Sequence, residues 1–381
     1  MTSETSVSPT TERLQGAAMV VVLAVGLGLG VAAIRTDSAQ RQLATALDFK
    51  SILGGRAASV VNTAMAHNLP VDALFRGAGG MLRWRLFQSG GPAVWVGRNN
   101  WLYLMEELRP WPDASGVMAE RSAVVGRVAA SLKAKNIDLL VAVVPDKARV
   151  VTDAMNGPRA RQAEPRYADF VGSLTKQGIK VVDLATPMLA DAGRDRLFWR
   201  TDTHWSQEGA AMAAKVIASA VTTKIDRSTK FKTTAEAAET DGPGDLLRLI
   251  SLEHVPDNLP IALRPPIDRQ HKETTKAVED PAAGGGGLLD DGPEVQVSLI
   301  GSSFSVNANF SGRLQEYLSA TVTNFGEAGG GFAGAAQKYF SGLAYKQTPP
   351  KLVIWEIPER LVVQPLTPDD KALQAAFPAA K

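Results

Sequence analysis

The sequence predicts an α/β fold, in which a parallel sheet is flanked by helices, preceded by a transmembrane helix. Three observations support this prediction. Short apolar runs alternate with longer stretches of helical periodicity, which is the order typical of βαβ units. An uncharged apolar stretch near the start is long enough to cross a membrane. Apolar residues make up 45% of the 381 residues, which is sufficient for a globular core.

The predicted transmembrane helix covers residues 14–34, which carry no charge. At a rise of about 1.5 Å per residue this stretch spans about 31 Å, close to the roughly 30 Å hydrocarbon core of a bilayer. A cleaved signal peptide is the alternative, because Val31-Ala32-Ala33 resembles a small-residue cleavage site. Signal peptides usually have a shorter apolar region, so we predict an uncleaved anchor with residues 1–13 in the cytoplasm.

The remaining chain is predicted to form a tether, one main domain and a tail. Residues 35–90 show no clear period and contain several glycines, which is typical of a tether or entry segment. The main domain is predicted over residues 91–365, and residues 366–381 form a C-terminal tail. Within the main domain, residues 257–292 are charged and rich in glycine, so they are predicted to form a flexible insertion without a core.

The elements of the main domain follow from the position of apolar runs. Helices are predicted at 119–135, 164–177, 210–221, 307–318 and 331–345, and strands at 138–144, 180–184, 295–300, 321–324 and 351–357. Ser206 is predicted to cap the helix that then runs through residues 210–221, because its side chain can accept a hydrogen bond from an unpaired backbone N–H of the first turn. Glu208 in that turn interacts favourably with the helix dipole.

Composition excludes some classes of function. The 41 Lys and Arg residues nearly balance the 39 Asp and Glu residues, so the net charge is +2 and nucleic acid is not expected as a partner. The chain contains no cysteine, which excludes disulfides, thiolate metal sites and a cysteine nucleophile. Covalent catalysis would therefore use Ser, Thr, Lys or a carboxylate.

An Asp-Thr-His sequence at 202–204 is the first candidate catalytic motif. Its spacing lets the Asp202 carboxylate hold one ring N–H of His204, which leaves the other nitrogen free as a base. The alternative is a capping and hydrogen-bonding role at the start of the next helix. No metal site is predicted, because no third ligand follows at the usual spacings. The other histidines lack such a partner and are expected to be structural or solvated: His67, His254 and His271.

The sequence GSSFS at 301–305 supplies candidate nucleophiles. A strand that ends in glycine and small hydroxyl residues exposes those hydroxyls at the carboxyl edge of the sheet, where α/β proteins bind ligands. Backbone N–H groups at the start of the following helix would stabilise a developing oxyanion. Spacing alone does not distinguish Ser302, Ser303 and Ser305.

With three further stretches, these motifs resemble the alginate O-acetyltransferase family of the AlgJ and AlgX type. The matching stretches follow the family's order over about 265 residues: GRNNWLYL at 97–104, VPDKARV at 144–150, FWRTDTHWS at 198–206, GSSFS at 301–305 and WEIPERL at 355–361. GDLLRLI at 244–250 is a weaker sixth match. The resemblance implies an SGNH-hydrolase-like catalytic domain that needs no cofactor.

The resemblance also implies roles for individual residues. Ser303 is implied as the nucleophile, His204 as its general base and Asp202 as the residue that orients the imidazole. Ser302 is a mild departure, since the family often carries Thr or Asp there. Arg200 stands where relatives tend to carry a basic residue, so it either contacts a substrate carboxylate or pairs at the surface. Four aromatic residues are candidates for stacking on sugars, although buried aromatics more often belong to a core: Trp95, Trp101, Tyr103 and Trp205.

The implied function is a membrane-anchored O-acetyltransferase that acetylates an exported polysaccharide, alginate or another exopolysaccharide. The catalytic domain would lie in the periplasm, and a multi-spanning acyltransferase of the inner membrane would supply the acetyl groups. A carbohydrate acetyl-esterase would use the same triad with water as acceptor. A non-catalytic polysaccharide-binding scaffold of an export complex is a third possibility. The intact triad residues disfavour the scaffold, and the anchor favours the transferase.

Overall fold

The computed structural model describes residues 9–46, 48–255, 267–278 and 296–379. The chain divides into two compact units. The first comprises residues 1–86 with 251–264, and the second comprises residues 87–250 with 265–381. The first unit is helical, whereas the second contains the parallel sheet.

Among the described residues at the N-terminal side, the first unit contains these helices: α1 (Pro9–Ile34), α2 (Asp37–Ala44), α3 (Phe49–Leu53), α4 (Arg56–Asn68) and α5 (Asp72–Phe87). Within α1, Arg13–Ile34 is long and apolar enough to cross a membrane, with a mean hydropathy of 2.6. This assignment rests on the length and composition of the helix, and a signal sequence near the N-terminus shares both properties.

The prediction of a tether at residues 35–90 is wrong, because most of this stretch is helical. Thr36 and Asp48 cap α2 and α3, and their side chains accept hydrogen bonds from the backbone N–H groups of Ala39 and Ser51. Small residues form much of the buried surface of these helices, among them Ala39, Ala64, Gly77 and Gly80. A buried face of small residues produces a weak apolar period, which is why the sequence pattern did not reveal the helices.

The central sheet of the second unit has five parallel strands. In spatial order they are β4 (Lys180–Asp183), β3 (Asp138–Val144), β9 (Leu352–Pro358), β7 (Val297–Ile300) and β8 (Val322–Asn324). The predicted parallel sheet is therefore confirmed. Because β9 pairs with both β3 and β7, the carboxyl ends of these three strands are neighbours at one edge of the sheet.

Helices cover both faces of this sheet. The α-helices that the structure describes in the second unit are α6 (Met105–Leu108), α7 (Ala114–Lys133), α8 (Lys147–Val150), α9 (Arg166–Lys176), α10 (Ala185–Ala190), α11 (Gln207–Ala220), α12 (Asp245–Leu249), α13 (Ser303–Val306), α14 (Phe310–Leu318), α15 (Gly334–Ser341), α16 (Leu343–Gln347) and α17 (Pro368–Ala376). The helix predicted at 331–345 is two helices that meet at Gly342, whose backbone is extended. A short antiparallel pair, β1 (Val94–Val96) and β2 (Leu102–Leu104), precedes α6.

Two apolar clusters lie on the two faces of the sheet. Leu139, Val141 and Val143 of β3 belong to the first cluster, which includes residues of α7, α9 and α15. The alternate residues of the same strand belong to the second cluster, which includes residues of α11 and α14. Successive side chains of a strand point to opposite faces, so a strand buried on both faces appears as an uninterrupted apolar run.

The predicted flexible insertion at 257–292 contains an ordered strand, so this prediction is wrong for part of the segment. Strand β6 (Arg269–Ala277) pairs antiparallel with β5 (Phe231–Asp241). Arg313 of α14 donates to Glu273 of β6, and Thr233 Oγ1 lies 2.6 Å from Thr275 Oγ1. The strand is polar and largely exposed, which explains the missing apolar signal. Residues 257–266 and 279–292 lie outside the described residues.

The predicted C-terminal tail at 366–381 is also wrong, because residues 368–376 form α17. Thr367 and Asp370 form a capping box at its start, and Leu373 is fully buried in the first apolar cluster. The Asp370 carboxylate also pairs with the buried Arg121 guanidinium at 2.8 Å. This helix therefore belongs to the packed second unit.

Candidate active site

The GSSFS stretch forms the turn between β7 and α13, at the carboxyl edge of the sheet. Strand β7 ends at Ile300 and α13 begins at Ser303. Ser302 caps this short helix, because its hydroxyl accepts a hydrogen bond from the backbone N–H of Phe304 at 3.2 Å. The turn directs Ser303 towards the loop that precedes α11.

That loop carries Asp202 and His204, and the structure brings both to Ser303. His204 Nε2 lies 2.7 Å from Ser303 Oγ, across 99 residues of sequence. His204 Nδ1 lies 2.7 Å from Asp202 Oδ1. Because the carboxylate only accepts hydrogen bonds, Nδ1 carries the proton and Nε2 is free to accept the serine proton. The arrangement is geometrically able to activate a serine nucleophile.

Several hydrogen bonds keep the Asp202 carboxylate ionised. Burial alone would raise the pKa of Asp202, but hydrogen bonds from the His204 ring and from two backbone N–H groups lower it well below its ordinary value. The backbone donors belong to His204 at 2.9 Å and Asp245 at 2.7 Å. An ionised carboxylate at this position stabilises the imidazolium that forms when His204 accepts a proton.

Asp245 is a second acidic residue beside the imidazole, and it belongs to the weak sixth matching stretch at 244–250. Asp245 Oδ1 accepts a hydrogen bond from the backbone N–H of Thr203 at 2.7 Å, and Oδ2 lies 3.7 Å from His204 Nδ1. Burial, and then the negative charge of Asp202, raise the pKa of Asp245. Asp245 therefore fixes the Asp-x-His loop through its backbone.

Asp202, His204 and Asp245 also place possible metal-ligand atoms within 4.8 Å of one another. No third ligand follows at the usual sequence spacings, and Asp245 comes near the imidazole only in the folded chain. However, His204 Nδ1 lies 2.7 Å from Asp202 Oδ1 and Nε2 lies 2.7 Å from Ser303 Oγ, so each ring nitrogen already has a hydrogen-bond partner. This geometry fits a hydrogen-bonded triad better than a metal centre.

Lys147 supports the same loop from the interior. Lys147 is fully buried. Its ammonium group donates hydrogen bonds to the carbonyl oxygens of Asp202 at 2.7 Å and Trp199 at 3.1 Å. Burial lowers the pKa of Lys147 to about 8, although nearby carboxylates, first that of Glu107, oppose this effect.

The lowered pKa of Lys147 gives stability a definite pH dependence. Between about 8 and 10.5 the unfolded chain binds more protons at this lysine than the folded chain, so the free energy of unfolding rises with pH in this range. We expect the stability of the wild type relative to Lys147→Met to increase across this window. Chemical denaturation of both proteins at pH values from about 7 to about 10 measures it. A difference that stays constant with pH would contradict the prediction.

Glu356 of β9 holds the turn at 301–305, which we call the serine turn, and its role was not predicted from the sequence. Its carboxylate is buried and accepts hydrogen bonds from the Ser302 backbone N–H at 2.7 Å, the Ser302 hydroxyl at 3.0 Å and the Ser305 hydroxyl at 2.9 Å. A Cβ on Gly301 would lie 2.5 Å from Glu356 Oε2, so only glycine fits there. Ser302 and Ser305 therefore serve the turn, whereas Ser303 is the hydroxyl that contacts His204.

A second buried network joins the ends of β3 and β9. Asp146 accepts a hydrogen bond from the backbone N–H of Arg360 at 3.0 Å and pairs with Arg166. Glu359 accepts hydrogen bonds from the Asp146 backbone N–H at 3.0 Å and from Arg149 at 2.8 Å. The Arg149 side chain is therefore largely buried in this network. The VPDKARV and WEIPERL stretches thus fix the sheet edge beside the triad.

Arg200 does not join the triad network. It lies on a neighbouring cavity of about 590 Å³, and the described residues of the triad do not line that cavity. The cavity is also lined by Trp101, Trp199 and Gln207. Arg200 Nε lies 3.6 Å from Asp268 Oδ1, and the side chain is 37% exposed. Part of the Arg200 side chain is thus accessible to a ligand in this cavity, whereas its Nε atom is buried.

The aromatic candidates separate into two groups. Tyr103 and Trp205 are fully buried, so the prediction that they stack on sugars is wrong. Trp95 and Trp101 are half-buried. Among the other histidines, His254 lies beside Glu253 and His271 lies on β6, whereas the side chain of His67 is outside the described part of the structure.

Comparison with known proteins places this geometry in a family. The family described as SGNH hydrolase-like domain, acetyltransferase AlgX, matches residues 94–359. The probable alginate O-acetylase AlgJ of Pseudomonas putida is 32% identical over 341 residues, which cover 88% of this chain and 87% of that protein. The solved O-acetyltransferase domain of Pseudomonas putida AlgJ is 31% identical, with a TM-score of 0.63, and the match covers 75% of this chain and 99% of that domain.

A more distant structure shares the fold. Pseudomonas aeruginosa AlgX is 20% identical, with a TM-score of 0.55, and the match covers 74% of this chain and 64% of AlgX. The described parallel sheet, the family match and the extent of similarity to AlgJ agree with one another. The chain therefore belongs to the family of SGNH hydrolase-like acetyltransferases of the AlgX type.

Proposed function

We propose that this protein is an O-acetyltransferase that acetylates an exported, alginate-like polysaccharide through an acetyl-enzyme on Ser303. The observation that carries the proposal is the hydrogen-bonded chain from Asp202 through His204 to Ser303. It occurs in a chain related over most of its length to proteins named alginate O-acetylases. The roles proposed are Ser303 as nucleophile, His204 as general base and Asp202 as the group that orients the imidazole.

The first half-reaction would load the acetyl group. Ser303 Oγ attacks the acetyl carbonyl of the donor while His204 Nε2 takes the hydroxyl proton. The tetrahedral intermediate collapses, the donor's leaving group takes the proton from His204, and acetyl-Ser303 remains. The N–H groups of Phe304 and Ser305 already donate to Ser302, so the backbone N–H of Ser303 at the start of α13 is the group proposed to stabilise the developing oxyanion. General-base help of this kind is worth on the order of 10² to 10⁴ in rate.

The second half-reaction would deliver the acetyl group to the sugar. A sugar hydroxyl gives its proton to His204 Nε2 and attacks the acetyl carbonyl, after which Ser303 regains the proton and the sugar ester leaves. Water competes for the same intermediate, so the site has to orient the sugar hydroxyl better than it orients water. We propose that Arg200 and the cavity beside the triad contribute to this orientation by binding the acceptor.

The cellular setting is part of the proposal. We propose that α1 is an uncleaved anchor in the inner membrane and that the second unit faces the periplasm. The apolar length of Arg13–Ile34 supports the anchor. A membrane-bound acyltransferase would supply acetyl groups from the other side, since the acceptor polymer is exported. An anchor keeps the enzyme close to such a partner.

The decisive experiment separates a transferase from an esterase. Purified full-length protein in detergent is incubated with an activated acetyl ester, with and without oligomannuronate, and the products are analysed by mass spectrometry. We expect the sample that contains oligomannuronate to yield acetylated oligosaccharide. Free acetate alone, whatever oligosaccharide is offered, would indicate a carbohydrate acetyl-esterase. Oligosaccharide binding without any acetyl release would indicate a polysaccharide-binding scaffold.

A further inference from the structure

Exposed apolar side chains are concentrated in the helices that follow α1. Outside α1, sixteen large apolar side chains are exposed in the part of the chain that the structure describes, and eight of them lie between residues 49 and 86. Single exposed apolar residues are ordinary on a protein surface, but a concentration of them indicates an interaction surface. The largest share belongs to α5.

The two faces of α5 differ in character. Gly77, Gly80 and Trp84 are buried and lie on one face of the helix. On the opposite face, Phe75, Leu82 and Leu86 are 68%, 55% and 68% exposed. At about 100° per residue the spacings of seven and four residues place these three side chains in one narrow stripe. We call these three residues the apolar stripe.

Basic side chains flank the apolar stripe. Arg83 and Arg85 are exposed, and the helical period places them about 80° to either side of the stripe. The helix carries three arginines against one aspartate, Asp72, which pairs with Arg76. An exposed apolar stripe between arginines is the pattern of helices that lie in the plane of an anionic membrane surface. The long arginine side chains reach headgroups while the stripe enters the apolar boundary.

The chain places the start of α5 close to the end of α1. Met65, near the C-terminal end of α4, packs against α1, since a Cβ on Gly30 would lie 3.0 Å from Met65 Cε. Gly30 belongs to the last turns of α1, and α5 begins seven residues after Met65. If α1 crosses the membrane, α5 therefore begins close to the surface at which α1 leaves it.

We propose that α5 lies on the anionic membrane surface from which α1 emerges, with the apolar stripe inserted between lipid headgroups. This inference rests on the proposed anchor role of α1. Phospholipid is favoured over a protein partner because the stripe is flanked by arginines on both sides, which complements anionic headgroups. Two membrane contacts would hold the chain directly before the second unit at the membrane surface, where acetyl groups would arrive.

The absence of native cysteine makes a direct test possible. Full-length single-cysteine variants Leu82→Cys, Val22→Cys and Leu343→Cys carry an environment-sensitive fluorophore in vesicles of phosphatidylcholine and phosphatidylglycerol with nitroxide-labelled lipid. Val22 reports on the anchor, and Leu343, which is 68% exposed in the second unit, is the control for an exposed apolar position. We expect blue-shifted, lipid-quenched emission at positions 82 and 22 but not at 343. Omitting phosphatidylglycerol should reduce quenching at 82 and leave that at 22 unchanged.

The outcomes distinguish this inference from the proposed anchor. Water-like emission at 82 with quenching at 22 would overturn the surface contact and retain the anchor. Quenching at 82 without quenching at 22 would overturn the anchor and its position beside α5 but retain the lipid contact of α5, whereas absence of quenching at both positions would overturn both proposals. Emission at position 82 that becomes blue-shifted only when a membrane acyltransferase is reconstituted together with the protein would indicate that the apolar stripe contacts a protein partner instead of lipid.

A charge inside the stripe provides a second test. With the fluorophore at Leu86→Cys, the additional substitution Leu82→Glu should abolish lipid quenching, because a carboxylate is repelled by anionic headgroups and is costly to bury. Leu343→Glu is the matched control and should leave the quenching unchanged. Equal quenching in Leu86→Cys alone, with Leu82→Glu and with Leu343→Glu would show that the apolar stripe does not contact lipid.

Discussion

Ser303→Ala is expected to reduce acetyl transfer by at least about 10⁴-fold, because no other hydroxyl contacts the free nitrogen of His204 among the described residues. The variant should fold normally, since the Ser303 hydroxyl makes its described side-chain hydrogen bond to His204 alone and the turn itself depends on Ser302 and Ser305. Hydrolysis of a chromogenic acetyl ester and transfer to an oligosaccharide should be lost together. Both reactions pass through the same acetyl-enzyme.

Ser302→Ala and Ser305→Ala are the matched controls for this prediction. Each removes a hydroxyl of the same turn that donates to Glu356 and has no described contact with His204. We expect lower stability but retained chemistry in both variants. Intact mass spectrometry after incubation with the acetyl ester should detect an acetyl adduct in both controls and none in Ser303→Ala. An adduct that persists in Ser303→Ala would move the nucleophile to Ser302 or Ser305.

Glu356→Ala is expected to lower the free energy of unfolding by roughly 3 to 5 kcal/mol and to reduce activity sharply. The substitution leaves the Ser302 N–H and the Ser302 and Ser305 hydroxyls without their buried acceptor. Each unpaired buried donor costs about 1 to 3 kcal/mol, and hydroxyls that rotate to other partners recover part of this loss. The freed turn no longer fixes Ser303 against His204, and a small displacement of a nucleophile has a large effect on rate.

Glu356→Gln is the control, because it keeps the volume of the side chain and one acceptor oxygen. Its amide oxygen can still accept from the Ser302 backbone N–H, while the hydroxyls can turn towards the amide group. Its stability and kcat should therefore lie between those of the wild type and Glu356→Ala. Thermal unfolding and kcat for the acetyl ester measure both effects. An unfolding curve and a kcat unchanged in Glu356→Ala would refute the role assigned to this carboxylate.

Much of the second unit was predictable from local patterns. Strand β3 occupies the predicted residues 138–144, because a strand buried on both faces has a continuous apolar sequence. Ser206 caps α11 as predicted, since capping depends on neighbouring residues only. The polar strand β6 and the small-residue faces of α2 and α5 gave no such pattern. These elements form regular structure because they pack against other elements, and the periodicity of apolar residues does not reveal such packing.

The sequence by itself determined the apolar length of α1, the parallel order of the sheet and the proximity of a carboxylate to the imidazole at 204, because two residues of separation bring Asp202 to His204. Only the tertiary structure decided which serine meets His204, and that Lys147, Asp245 and Glu356 hold the loops that carry the triad. The bonds of these three supporting residues join groups 42 to 55 residues apart. The Glu356 contact forms because β9 pairs with β7, and spatial strand order is set by long-range packing rather than by neighbouring residues.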